Sequence, residues 1–110
     1  MNFRWLLVSS IIFSISVSVM FAADVAAGKD AFNKKCASCH GAGGEGKDSI
    51  AKMLKVEMRP LASKEVQSKS DGDLKKNFLE GNGKMKPVKD VDAKSADDIV
   101  AYLRTLLNKS

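Results

Sequence analysis

The chain has a single histidine, two cysteines and two prolines in 110 residues, and aromatics make up only 6% of it. Each scarcity closes something off. With His40 alone, no site here can be built on two imidazoles. The two cysteines, Cys36 and Cys39, lie three positions apart, so they cannot staple distant segments together. A disulfide between them would close too small a loop to add much stability. Beyond Arg4 the only arginines are Arg59 and Arg104, and the aromatics are not interleaved with a basic patch, which argues against nucleic-acid binding. No internal repeat, low-complexity tract or convincing strand pattern is present.

What is present begins with a long apolar run. Met1–Arg4 is a short positive region, Trp5–Met20 carries no charge, and Phe21-Ala22-Ala23 leads into Asp24, the first acidic residue. That layout predicts a secretory signal over residues 1–23, cut after Ala22 or Ala23. The rival reading is an uncleaved anchor, since Trp5–Ala23 is about long enough for a tilted span of a ~30 Å hydrocarbon core. Either reading places residues 24–110 outside the cytoplasm, in the periplasm or an equivalent compartment. Setting aside Arg4, one of 18 basic side chains, leaves 17 against 13 acidic ones, a net charge of +4 that is nearly all lysine. Such an excess suits electrostatic steering toward acidic partners.

Residues 24–110 read as one small all-α domain. A first helix over Asp24–Cys36 places Val25, Gly28, Phe32 and Cys36 on one face. Gly28 costs about 1 kcal/mol relative to alanine inside a helix, so its place on the apolar face predicts a second helix crossing closely there. The glycine-rich stretch Gly41–Gly46 predicts a loop, and Ser49–Val56 a short helix. Pro60 forces extended or turning backbone at Arg59. A third helix, Asp71–Glu80, has Ser70 as its cap, Leu74, Phe78 and Leu79 as its buried stripe, and Gly81 as its stop. The last helix, Ala96–Leu107 with Ser95 as cap, carries Ile99, Tyr102, Leu103, Leu106 and Leu107 at a 3.6-residue period.

The chemistry is concentrated in Cys36-Ala37-Ser38-Cys39-His40. This is C-x-x-C-H, the pattern of covalent c-type haem attachment. Two intervening residues let the thiols add to the two vinyl groups on one side of a porphyrin while the backbone turns beneath it, and His40 then faces the iron. A thiol–disulfide redox pair usually accompanies a βαβ pattern, which is absent. A zinc site needs a closed set of about four ligands, and the chain has no further cysteine or histidine to complete one. A small domain also gains from such a group, because its own core is limited.

With no second histidine, a thioether is the natural remaining axial donor, and Met/His ligation suits electron transfer. The candidates are Met53, Met58 and Met85. Met85 has the best context, in a glycine-bearing loop just before Pro87, whereas Met53 is predicted to be a packing residue of the short helix. These assignments make His40 and Met85 the metal ligands.

Taken in order, Cys36–His40, Gly81-Asn82-Gly83-Lys84-Met85 and the final Asp97-Asp98-Ile99-Val100-Ala101-Tyr102-Leu103-Arg104 resemble a class I monohaem cytochrome c. The resemblance implies an all-helical cytochrome c-like fold around one covalent haem c. It implies terminal helices crossing nearly at right angles, with Gly28 and Phe32 meeting Tyr102. It also implies that the Pro60 carbonyl accepts the Nδ1–H of His40. The Lys86-Pro87 order departs from the family, where proline often follows the methionine directly. The expectation is an electron carrier rather than an enzyme, meeting redox protein partners through Lys34, Lys35, Lys84, Lys86 and Lys89. Two alternatives stand beside it: a haem enzyme or gas sensor with a labile sixth ligand, and a membrane-anchored subunit of a respiratory complex.

Overall fold

The computed structural model describes residues 23–109. The predicted signal or anchor up to Ala22 lies outside the described residues. Six helices follow one another: α1 (Val25–Lys35), α2 (Ala37–His40), α3 (Asp48–Leu54), α4 (Lys64–Gln67), α5 (Asp71–Glu80) and α6 (Ala93–Thr105), with a 3-10 turn at Leu106–Lys109. The described residues form no strand, and a lone antiparallel bridge joins Asn82 to Met85. None of their helices is long and apolar enough to cross a membrane.

The helices start where local chemistry supplies a cap. The Asp24 carboxylate accepts from the Ala27 N–H, and the Ser70 hydroxyl accepts from Asp73, as its position predicts. The last helix begins three residues earlier than the sequence suggests. Asp92, not Ser95, is its cap, and the Ser95 N–H is the donor to it at 2.7 Å. The extra turn brings Lys94 four residues ahead of Asp98, within ion-pair reach at 2.8 Å. Helices α2 and α4 are single turns, too short to show a hydrophobic period in the sequence.

The centre of the fold is the crossing of α1 and α6. A Cβ at Gly28 would overlap the backbone carbonyl of Asp98, so only glycine allows this approach. One turn on, Phe32 meets Tyr102, with ring centroids 5.2 Å apart and planes inclined at 57°. The close approach at Gly28 was predicted from its place on the apolar face, and the Phe32–Tyr102 contact is the one the family resemblance implies. Leu74 and Phe78 of α5, with Ala96, Ile99, Val100, Leu103 and Leu106, complete the buried cluster. Three predicted core positions face outward instead. Val25 lies at the free end of α1, Leu79 is one position off the Leu74–Phe78 stripe, and Leu107 falls in the 3-10 turn, where the helical period breaks.

Arg104 clamps the α4–α5 connection onto α6. Its guanidinium donates to the carbonyls of Gln67 (2.8 Å) and Lys69 (2.7 Å) and to the Asp71 carboxylate (2.7 Å). The Gln67 amide in turn donates to the carbonyls of Leu61 and Leu103, each at 2.9 Å.

Two substitutions test this framework. Gly28→Ala gains about 1 kcal/mol of helix propensity, but it forces two backbones apart. Overpacking costs about 1–3 kcal/mol, and a carbonyl cannot swing aside as a side chain can, so a net fall in chemical-denaturation stability is expected. Arg104→Met keeps the stem and removes the donors, so a loss of about 1–3 kcal/mol is expected.

Candidate functional site

The site grows out of the C-terminal end of α1. Cys36 caps that helix, donating its N–H to the Phe32 carbonyl at 2.8 Å. The chain turns at once into α2, in which the N–H groups of Cys39 and His40 both donate to the Cys36 carbonyl, at 3.2 and 3.0 Å. The two cysteines and His40 therefore share one helical turn that starts in the core. Cys36 is buried in the main cluster, Cys39 is exposed, and the two thiols are not bonded to each other.

The Gly41–Gly46 loop holds this turn in place. Gly46 N–H donates to the His40 carbonyl at 2.6 Å, and Leu61 N–H to the Gly44 carbonyl at 2.8 Å. Gly44 has φ +72°, and a side chain there would crowd Leu61 and Leu106. From the other side, the Tyr102 hydroxyl donates to the Ala42 carbonyl at 3.2 Å. The aromatic that packs on Phe32 thus also tethers the loop that follows His40. Nothing in the sequence announced this bond, which joins residues far apart in the chain.

The electrostatics favour ligation over thiol redox chemistry. Burial pushes the Cys36 thiol up to about 11, with Cys39 adding to the rise and Lys35 opposing it. Reactive redox cysteines show the opposite, a lowered pKa. Burial also lowers the pKa of His40 below its ordinary 6.5, keeping the imidazole neutral, which is the form that binds a metal. Its Nδ1 is buried without a hydrogen-bond partner. A buried unsatisfied polar atom costs about 1–3 kcal/mol, so the ring has an uncommitted nitrogen at a structural cost. No group of three or more His, Cys, Asp or Glu side chains among the described residues is placed to hold a metal ion. Two separate thiols beside a neutral, uncommitted imidazole are the donor set that a covalent haem requires.

One expected second contact is not made. The Pro60 carbonyl does not accept from His40; it accepts the Ser63 N–H at 2.9 Å, closing the turn into α4. The three methionines also separate. Met53 is 68% exposed and is not the packing residue the sequence suggested, because α3 has no buried residue and stands off the core. Met58 is half-buried beside Gly46. Met85 is half-buried and packs against the same cluster that contains Cys36. Its backbone exchanges two hydrogen bonds with Asn82, each 2.9 Å, so the loop is a closed turn.

An all-helical fold with crossed terminal helices and a C-x-x-C-H turn at its core defines a cytochrome c domain. Residues 23–103 match the family described as cytochrome C oxidase, cbb3-type, subunit III, and the chain belongs to that family. No curated protein matches the chain. Membership implies haem-based electron transfer and covalently bound haem c.

Covalent attachment has a direct check. In protein matured with haem, the haem absorbance is expected to stay with the polypeptide after acid–organic extraction. It should be lost in the Cys36→Ala, Cys39→Ala double variant.

Proposed function

We propose that this chain is an exported carrier of single electrons with one haem, held by Cys36 and Cys39 and ligated by His40 and Met85. The observation that carries the reading is the helical turn Cys36–His40, which presents two unlinked thiols and the only imidazole of the chain at the edge of a cytochrome c core. A single motif means a single haem. When bound, the haem supplies a one-electron iron couple, and Met/His ligation places it at high potential.

The protein's own groups are suited to holding that couple steady. The Tyr102–Ala42 bond and the glycine loop fix the turn that bears His40. The paired Asn82–Met85 turn fixes the loop that bears Met85. Ligands anchored in this way move little between oxidation states. The two arginines of the described chain are both engaged, Arg59 with Glu65 at 3.9 Å and Arg104 in its clamp. Arg104 is committed to that clamp and is not available to assist bond-breaking chemistry at a bound ligand, which favours a carrier over an enzyme or gas sensor.

A basic face supports acidic redox partners. The Lys35 ammonium donates to the Lys89 carbonyl at 3.1 Å, drawing the lysines beside the haem motif to those beside Met85. Lys34, Lys84 and Lys86 are exposed around this junction. Steered partners of this kind form small, short-lived interfaces. The family's name, that of an oxidase subunit, favours a second reading in which the chain works attached to a respiratory complex. Recovery of the protein with a membrane-bound oxidase after salt washing would support that reading over a diffusing carrier.

Three results test the carrier. The oxidised protein is expected to show the near-infrared methionine–iron band, and Met85→Ala to lose it; a retained band moves the ligand to Met58 or Met53. The reduced protein should bind carbon monoxide slowly at neutral pH, and rapid binding would instead mark an open iron site. Electron transfer to an acidic partner should slow steeply between low and physiological ionic strength, where the screening length falls to about 8 Å.

A further inference from the structure

Asp98 is the one charged side chain buried among the described residues, with 4% of the side chain exposed. A carboxylate removed from water needs charged or hydrogen-bonding partners. Its Oδ2 accepts from the Lys94 ammonium at 2.8 Å, but the Lys94 side chain is 67% exposed. Its Oδ1 accepts, also at 2.8 Å, from the backbone N–H of Asp24, 74 residues away. In the uncut chain that second donor is a neutral peptide group.

We propose that the chain is cut between Ala23 and Asp24, and that the ammonium group freed at Asp24 is held by the buried Asp98 carboxylate. The inference rests on the export reading above and deepens it. In the cut, water hydrolyses the Ala23–Asp24 amide: the carbon–nitrogen bond breaks, the oxygen stays on Ala23 as carboxylate, and the nitrogen leaves as a protonated amine. A peptidase acting on exported precursors is the class of enzyme required; Ala23 gives it the small residue needed next to the cut, while Phe21, three residues before the cut, departs from its small-residue preference.

Three features point to this bond. Ala23 and Asp24 are exposed and lie outside α1, with Asp24 extended at φ −94°, ψ 107°. Cutting there spares the helix cap, since Ala27 and Gly28 both donate to acceptors that belong to Asp24 itself. The same nitrogen that hydrolysis would charge already lies at hydrogen-bond distance from the buried oxygen. A cut after Ala22 would leave the charge one residue away from it.

The charge balance also favours an added cation. Three carboxylates, Asp24, Asp92 and Asp98, act on the single ammonium of Lys94. A positive charge at a helix N-terminus is ordinarily unfavourable, because it opposes the helix dipole. Here the Asp98 carboxylate offsets that repulsion through a charge-assisted hydrogen bond.

The test uses the haem-loaded protein exported with its full leader. Its intact mass is expected to equal residues 24–110 plus one haem. A mass that retains the leader overturns both the cleaved-export reading and this inference, whereas an N-terminus at Ala23 overturns this inference alone. In protein that starts at Asp24, the α-amino group is expected to titrate above the ordinary range of about 7.7–8.0. Asp98→Asn should return it by about one unit, read by NMR titration of the terminal amine. Lys94→Gln removes the competing cation and keeps Asp98, so there the raised value should persist even if the asparagine variant does not fold. An α-amino group with the ordinary value in both the parent and Lys94→Gln overturns the inference.

Discussion

Two helices can lie backbone against backbone only where one of them has no side chain to keep them apart. That condition is met at Gly28, and most of this molecule follows from it. With Gly28 against the Asp98 carbonyl, α1 and α6 approach closely enough for Phe32 and Tyr102 to meet one turn further on. Another turn along α1 brings the chain to Cys36. The haem motif is therefore held about 12 Å from the crossing, at 1.5 Å per residue, by a rigid rod whose direction the crossing sets. A side chain at position 28 would shift that rod and every group at its end.

Helix α6 does the rest by polar contacts along its length. In its middle, Asp98 receives the N-terminus of α1; one turn later, Tyr102 holds the loop after His40; at its end, Arg104 gathers the carbonyls around α4. Each bond is worth only about 1 kcal/mol net. Their value lies in position, because they tie irregular segments to the one long helix. In a domain with so few long elements, loops fixed in this way can carry ligands without a larger core.

The site's chemistry follows from how unequally its groups are buried. Cys36 is sealed in the core and protonated, Cys39 faces outward, and His40 is neutral with an uncommitted nitrogen. The same pattern would serve badly for thiol exchange, which needs an accessible thiolate. It serves well for a group that joins both thiols and the imidazole at once.

Much of this was written in local signals. The C-x-x-C-H turn, the cap at Ser70, the stop at Gly81 and the close approach demanded at Gly28 all follow from residues a few positions apart or from a helical period, whereas the meeting of Phe32 with Tyr102 came from the family resemblance. Other features depended on segments distant in the chain coming together, and no local pattern encodes that. Asp92 and Ser95 are both sound caps by type, and the choice went to the one whose extra turn pairs Lys94 with Asp98. Pro60 is a sound acceptor for His40 by order in the chain, but its carbonyl closes the turn onto Ser63. The three methionines are alike as residues and differ only in what surrounds them. Covalent chemistry and helix faces are short-range properties and were determined along the chain. Which carbonyl, carboxylate or thioether meets which partner is long-range, and it was settled only when the helices packed.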